Sequence, residues 1–176
     1  VIELLPTTIA TPQEEVICND GTTNIAITTD LGLPGTTYII EVLSSGRGVT
    51  GSFDDAFAGD SVIRQTLTNP SSNVDSVVYR ITPYGPSTLY CEGWADTVVI
   101  WVNPTPDIAI ELPDSVICNE ASTAFAISTL NQQLRGDWYY DLTVIPDAGI
   151  QGARASERIN DLFFTESLVN TTSVLQ

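Results

Sequence analysis

Short stretches of β-branched and aromatic residues recur along the chain, and glycine, proline and asparagine separate them. Apolar and polar positions alternate in several of these stretches, which is typical of half-buried strands, and no stretch shows a convincing 3.6-residue period of an amphipathic helix. A short strand before Cys18 and five longer strands are predicted, at residues 24–29, 37–43, 62–68, 76–82 and 97–102. Strands of this length, spaced by about a dozen residues, predict a two-sheet antiparallel β-sandwich.

This pattern returns after one hundred residues. VICND at residues 16–20 becomes VICNE at 116–120, and NIAITT at 24–29 becomes AFAIST at 124–129. A recurrence at domain-sized spacing indicates an array of repeated domains. Three further alignments follow, of residues 137–144 with 37–43, residues 159–161 with 63–65, and residues 173–176 with 76–79. Residues 153–164 also allow a helix, but the alignment favours a strand.

The repeat sets the predicted domain boundaries. Residues 1–6 resemble 99–104 and are predicted to be the last strand of a preceding repeat. Residues 7–104 form one complete repeat, and residues 105–176 form a second repeat that lacks its last two strands. Prolines at 104 and 106 predict a short, stiff linker between them. We expect that either further chain or a partner supplies the strands that the second repeat lacks.

Composition and charge narrow the class of protein. Hydrophobic residues make up 43% of the 176 positions, which excludes a disordered acidic tail. The 22 acidic and six basic residues give a formal charge of −16. The negative electrostatic field of such a charge repels nucleic acids and anionic membrane surfaces. No apolar run reaches the roughly 20 residues that cross a bilayer, so no direct membrane insertion is expected.

The three cysteines suggest a disulfide within the first repeat. Cys18 and Cys91 both belong to residues 7–104, whereas Cys118 begins the second repeat. We predict a Cys18–Cys91 disulfide, and for Cys118 a partner beyond residue 176. A disulfide would indicate an oxidising, extracellular compartment. The alternative is a pair of buried free thiols.

Chemistry for catalysis is not evident in the sequence. There is no histidine and no CxxC motif, so zinc binding, thiol catalysis and the commonest general base have no residues to carry them. We therefore predict that the protein is not an enzyme and holds no resident cofactor. Flat aromatic rings could instead form a platform for sugars, although core packing is the simpler interpretation. The candidates for such a platform are Trp94, Trp101, Trp138, Tyr139 and Tyr140.

The densest acidic cluster lies in the segment 51–60. Asp54, Asp55 and Asp60 could contribute carboxylates to a Ca²⁺ ion, which takes six to eight oxygen ligands. The segment lacks the regular spacing of a calcium-binding loop, and the second repeat has no matching cluster. Solvated loop acids are the alternative interpretation.

Five framework motifs stand out along the chain: VICNDG at 16–21, IRQTLTN at 63–69, VYRITP at 78–83, CEG at 91–93 and VNPTP at 102–106. Together they resemble the PKD-like repeats of giant Bacteroidota surface proteins, a group that includes gliding-motility-associated adhesins exported by the type IX system. The resemblance covers nearly the whole chain. It implies tandem Ig-like sandwiches and an extracellular, outer-membrane-associated location on the cell surface, and it does not point to any catalytic or ligand residue.

Four Asp-Ser/Thr-Val sites are similar to the O-glycosylation sequon of secreted Bacteroidota proteins. Their hydroxyl residues are Ser61, Ser76, Thr97 and Ser115. A turn aspartate followed by β-branched residues can equally start a strand, so both interpretations stay open.

Three functions remain open from the sequence. The first is a stalk or fibre segment of a surface adhesin, whose partners are the neighbouring repeats and, at its target, surface glycans or other cells. The second is a carbohydrate-binding module of a secreted polysaccharide-degrading enzyme. The third is a subunit of an extracellular filament assembled by strand exchange.

Overall fold

A computed structural model describes residues 4–59, 61–85, 90–112, 114–160 and 162–173. These residues form β-strands and no helix, so the predicted all-β class is confirmed. The strands are β1 Thr8–Pro12, β2 Val16–Ile17, β3 Gly21–Thr22, β4 Ile25–Thr29, β5 Thr37–Ser45, β6 Asp55–Ala58, β7 Ser61–Ile63, β8 Thr66–Leu67, β9 Asp75–Tyr84, β10 Asp96–Val102, β11 Ile108–Glu111, β12 Ser122–Thr129, β13 Tyr140–Leu142, β14 Ile150–Gln151, β15 Glu157–Ile159, β16 Phe163–Ser167 and β17 Val169–Asn170.

The strands belong to two compact units. Unit 1 comprises Val1–Thr105 together with Gln132–Arg135, and unit 2 comprises Pro106–Asn131 together with Gly136–Gln176. The repeat places the boundary after residue 104, whereas this division falls after residue 105 and counts residues 132–135 with unit 1.

Unit 1 is built from two sheets. One has three strands in the order β1-β4-β7, and the other has five strands in the order β2-β10-β9-β5-β6. Neighbouring strands are antiparallel except β2, which runs parallel to the end of β10. The short pair β3-β8 is separate from both. This arrangement confirms the predicted Ig-like sandwich.

Alternation along the strands places the core of unit 1 between its sheets. In β4, Ile25 and Ile27 are buried while Ala26 and Thr28 face outwards. The same period of two buries alternate residues of β9 and β10, because successive side chains point to opposite faces of a strand. The buried cluster contains Ile17, Ile25, Ile27, Tyr38, Ile40, Val49, Ile63, Leu67, Val77, Tyr79, Ile81, Val98, Ile100 and Val102.

Unit 2 is organised in smaller sheets. A three-stranded sheet has the order β11-β12-β16, and two further pairs are β13-β15 and β14-β17. Its buried cluster within the described residues consists of Ile127, Tyr140 and Ile159.

The strand pairings of the two units correspond. Thr8 pairs with Thr29 in unit 1, and Ile108 pairs with Thr129 in unit 2, an offset of 100 in both strands. Along the other edge of the central strand, Ile25 of β4 pairs with Ile63 of β7, and Phe125 of β12 pairs with Phe164 of β16. The strand β16 is therefore offset from β7 by 101 residues. The same local pairing therefore forms twice.

This register corrects part of the sequence alignment. Residues 159–161 were matched with 63–65, but Ile159 lies in β15 opposite Tyr140. Phe164 takes the place of Ile63, because it pairs with the strand equivalent to β4. Asp161 and residues 174–176, which belong to two of the aligned segments, lie outside the described residues.

Most strands of unit 1 lie where the hydrophobic pattern places them, with two differences. The predicted strand 62–68 is divided into β7 and β8, because Gln65 turns inwards and bonds the backbone of Phe53. The acidic segment 51–60 contains the strand β6, which pairs with β5.

Candidate functional site

The chain enters unit 1 beside the start of β10. The amide of Thr8 donates to the Trp94 carbonyl at 3.0 Å, and the Trp94 amide donates to the Pro6 carbonyl at 2.9 Å. Trp94 lies two residues before β10, so residues 6–8 are fixed at that end of the sandwich.

The chain leaves unit 1 at the other end of β10. There the amide of Asn103 donates to the Ile17 carbonyl at 2.8 Å, and the Asn19 side chain donates to the Thr105 hydroxyl at 2.9 Å. β10 has seven residues, which extend over roughly 20 Å at the usual rise per residue. The two points of attachment are therefore at opposite ends of the domain, an arrangement that suits domains connected in series.

A buried asparagine organises the exit end. The Asn69 side chain is 1% exposed, and its amide group donates to the carbonyls of Asn73 and Val102, each at 2.8 Å. Its oxygen accepts from the amide and hydroxyl of Ser71, while its backbone amide donates to the Asn19 side chain at 2.6 Å. Because a buried amide is costly without partners, this network fixes the end of β10 against the turn after β2.

The same turn geometry occurs in unit 2. The Asn170 amide donates to the Asn119 side chain at 2.6 Å, and the Asn170 oxygen accepts from the amide and hydroxyl of Thr172. Sequence reasoning missed these asparagines. The signal that could have found them is an Asn-x-Ser/Thr turn that recurs at 69–71 and 170–172, at the offset of 101.

Residues 132–135 also belong to unit 1 and bind its exit end. The Asn103 side chain donates to the Arg135 carbonyl at 2.8 Å and accepts from the Arg135 amide at 2.9 Å. The Arg135 guanidinium carbon lies 3.5 Å from the centroid of a Trp101 ring, a cation–π contact. These contacts cover the ring of Trp101, which sequence reasoning had considered for sugar binding.

The predicted Cys18–Cys91 disulfide is wrong for this fold. Both residues are free cysteines, as is Cys118. Cys18 follows β2 at the exit end, whereas the Cys91 carbonyl accepts from Gly85 beyond the opposite end of the β9-β10 pair. The length of β10 separates them, and a disulfide needs α-carbons within about 7 Å of each other. The alternative, a pair of buried free thiols, agrees with the free state of Cys18 and Cys91 but is wrong about burial, because Cys18 is exposed and Cys91 is partly exposed.

The proposed calcium ligands have separate local roles. The Asp54 carboxylate accepts from the Val42 amide at 2.7 Å, and the Asp55 carboxylate accepts from the Ala56 amide at 2.8 Å. Asp60 lies outside the described residues. Among the described residues, no group of three or more acidic or cysteine side chains is arranged to hold a metal ion. Calcium binding at Asp54, Asp55 and Asp60 stays a prediction.

The four hydroxyl residues of the glycosylation prediction differ in exposure. Thr97 on β10 and Ser115 in the loop before residues 116–117 are exposed. Ser61 and Ser76 are partly buried in β7 and β9. Modification at any of them stays a prediction.

The aromatic residues do not form one platform. Trp94 is 68% exposed in unit 1, whereas Tyr140 is buried in unit 2. Trp138 lies beside Tyr140 with ring centroids 6.0 Å apart, and Tyr139 points outwards with 57% exposure. Tyr139 thus lies on the opposite face of this segment from Trp138 and Tyr140. Sugar binding stays a prediction.

Polar groups inside unit 1 serve packing. The Gln65 side chain is 2% exposed, and it accepts from the Phe53 amide and from the Tyr79 hydroxyl at 3.0 Å. Burial raises the pKa of Tyr79 well above its ordinary value, so the phenol stays protonated. This network links the segment between β7 and β8 to the residues before β6 and to β9.

Two packed sheets, a parallel second strand and an apolar interior define an immunoglobulin-like β-sandwich. A family model of the PKD-like domain matches residues 15–106, just over half of the 176 residues. The chain therefore belongs to the PKD-like domain family, whose members are in general non-catalytic structural domains. A search of curated proteins found no match. In the part of the chain that is described, no helix is long and apolar enough to span a membrane.

Proposed function

We propose that the chain is a non-catalytic stalk or fibre segment of a large secreted bacterial adhesin. Successive PKD-like repeats would hold an adhesive region away from the cell surface. The neighbouring repeats of the same polypeptide are then its main partners, and surface glycans or other cells are the targets of the whole molecule. A role in gliding motility and export by a type IX system are parts of this proposal.

One observation carries the proposal. Residues 6–8 bind at one end of β10, and residues 103–105 leave at the other end. A domain attached at opposite ends adds its full length to a series, whereas a domain attached at neighbouring ends does not. The formal charge of −16 is consistent with this role, because it keeps a long extracellular molecule soluble.

Small-angle scattering on chains with one, two and three copies of residues 7–104 tests the stalk. The longest strand, β9, has ten residues, so each copy should add roughly 35 Å to the maximum dimension. A dimension that grows only as the cube root of mass would contradict the proposal.

The surface location needs a test in the source bacterium. Antibodies against residues 7–104 should label intact cells, and deletion of the gene should reduce attachment. Removal of these residues alone should shorten the stalk while the remaining repeats stay exposed. Labelling that requires permeabilised cells would contradict the surface location.

A further inference from the structure

We propose that unit 2 binds a two-stranded β-hairpin with the residue pattern of β9 and β10. Unit 1 provides the template, because its larger sheet has the order β2-β10-β9-β5-β6. In unit 2, β13 and β15 pair as β5 and β6 do, and residues 116–117 correspond to β2. Within the described residues, no strand of unit 2 corresponds to β9 or β10.

A cleft marks the place where the hairpin would bind. Its volume is about 590 Å³, and its apolar lining includes Ile117, Ile150 and Leu168. The register makes these residues the counterparts of Ile17, Val49 and Leu67. In unit 1 those three residues are at most 7% exposed and belong to one buried cluster with Ile100 and Val102 of β10.

The exposure of neighbouring side chains agrees with the cleft. Val116 is 82% exposed and Ile110 is 61% exposed, although the equivalent residues of unit 1 are both partly buried. Their counterparts are Val16, which pairs with Trp101 of β10, and Ala10, which packs against the core. Residues 116–117 also have no strand assignment, whereas β2 is a strand because β10 pairs with it.

A polar anchor for the hairpin is formed as well. In unit 1 the Asn69 amide group donates to the carbonyl of Val102, the last residue of β10. Asn170 has the same backbone bond to an asparagine and the same turn contacts to a hydroxyl residue two positions later. The Asn170 side-chain oxygen is thus oriented in its turn as the Asn69 oxygen is in unit 1.

The chemistry of the occupant follows from unit 1. The two strands present Val77, Tyr79 and Ile81, and Val98, Ile100 and Val102, to the core at every second position. A single strand would leave part of the sheet unpaired, because β10 lies between β2 and β9 and only β9 reaches β5. The structure therefore favours a hairpin with inward aliphatic residues and an inward tyrosine on its first strand.

The test adds this hairpin to the complete chain. The strand pairings give an offset of 101, which makes Gln176 the counterpart of Asp75 in place of the Tyr79 that the sequence alignment gives. A second copy of residues 76–104 is therefore attached directly after Gln176. We expect amide hydrogen exchange at residues 116–118 and in β12 to slow at least about tenfold, since exchange slows as apolar burial stabilises a region. Binding of the dye ANS to exposed apolar surface should fall.

A matched control carries I100D and V102D in the attached copy only. It has the same length but cannot bury its inward face, so exchange in unit 2 should stay as fast as in the original chain. Equal protection from both extensions, or none from the unaltered one, would overturn the proposal. It would also be overturned if the original chain already exchanges slowly in unit 2 and sediments as a dimer, since a second copy would then cover the cleft.

Discussion

Units 1 and 2 share their turns and strand registers but differ in their cores. Within the described residues, the buried cluster has fourteen hydrophobic residues in unit 1 and three in unit 2. The turn at Asn19 and Asn69 nevertheless shares one hydrogen bond with the turn at Asn119 and Asn170, from a backbone amide to an asparagine side chain at 2.6 Å. This bond therefore forms in both units although their cores differ in size, whereas the larger core of unit 1 includes the inward residues of the paired strands β9 and β10.

The largest expected difference concerns one isoleucine that occurs in both cores. Ile27 is 1% exposed in unit 1 and Ile127 is 4% exposed in unit 2. Ile27→Ala should lower the free energy of unfolding of unit 1 by about 3–4 kcal/mol, because packed neighbours leave a cavity that cannot collapse. Ile127→Ala should cost unit 2 only about 1–2 kcal/mol, because its smaller core can relax.

Urea titration followed by hydrogen exchange, read separately for each unit, measures both losses. Thr28→Ala is the control, since Thr28 lies on the outer face of β4 and should cost less than about 0.5 kcal/mol. Equal losses at positions 27 and 127 would show that the two cores are packed alike.

The next prediction concerns a turn that should behave identically in both units. Gly51 has φ +94° and Gly152 has φ +89°. A β-carbon would lie 1.9 Å from the Thr66 carbonyl oxygen at Gly51, and 2.0 Å from the Ser167 oxygen at Gly152. Gly51→Ala and Gly152→Ala should each cost about 2 kcal/mol or more, from the left-handed backbone and the clash together.

Gly136→Ala separates these two causes. Its φ of +85° is similar, but a β-carbon there would meet no atom within 4 Å, so it should cost only about 1 kcal/mol. The same unit-resolved unfolding experiment applies. A much smaller loss at Gly152 than at Gly51 would mean that the turn depends on the core and is not locally determined.

The sequence was informative where structure is local. The period-two pattern predicts β4, β5, β9 and β10, and the repeated VICN motif identifies equivalent turns because its asparagine side chain caps the same backbone amide. Alignment by hydrophobicity alone failed at residues 159–161. An isoleucine fits any inward position of a strand, and only the pairing with β13 distinguishes them.

Long-range geometry was not available from the sequence. The Cys18–Cys91 prediction assumed that the start of the domain lies beside the approach to its last strand. The structure places the residues before Asp96 and those after Ile17 at opposite ends of β10, because β2 runs parallel to that strand. A parallel partner cannot be recognised from two residues of alternation.

The next prediction concerns the reactivity of the free cysteines, which should be similar at equivalent positions of the two units. Alkylation of the chain without reductant should modify three thiols. Cys18 and Cys118 should react at similar rates, because each is exposed on the equivalent turn of its unit. Cys91 should react more slowly, since it is partly buried. Intact mass and peptide mapping measure this.

Serine variants provide the control for the cysteines. Cys18→Ser and Cys91→Ser should each change the free energy of unfolding by less than about 0.5 kcal/mol, whereas loss of a structural disulfide costs about 2–5 kcal/mol. A mass that shows only one alkylated thiol would support the Cys18–Cys91 disulfide and would contradict the placement of these two cysteines at opposite ends of β10.

The smallest expected effect concerns cross-strand ion pairs on the two surfaces. Both pairs join directly opposite residues of neighbouring strands, and they differ in distance. In unit 2, Arg158 Nε lies 2.8 Å from Asp141 Oδ1, whereas in unit 1 Arg80 Nε lies 3.9 Å from Glu41 Oε2. The hydrogen bond from Arg158, with its charge, lowers the pKa of Asp141. The stabilisation is thus present above the ordinary aspartate pKa of about 3.9 and is lost as the pH falls through the lower folded value.

Carboxyl NMR titration measures this shift directly. The Asp141 midpoint should lie below that of an unpaired aspartate, and Arg158→Gln should return it to the ordinary range. Salt near 1 M should reduce the shift, because both groups are exposed and screened. Arg80→Gln is the matched change in unit 1 and should leave the Asp141 midpoint unchanged. A midpoint that does not move in the Arg158 variant would show that the pair is not formed in solution, and that the surfaces of the two units differ less than their cores.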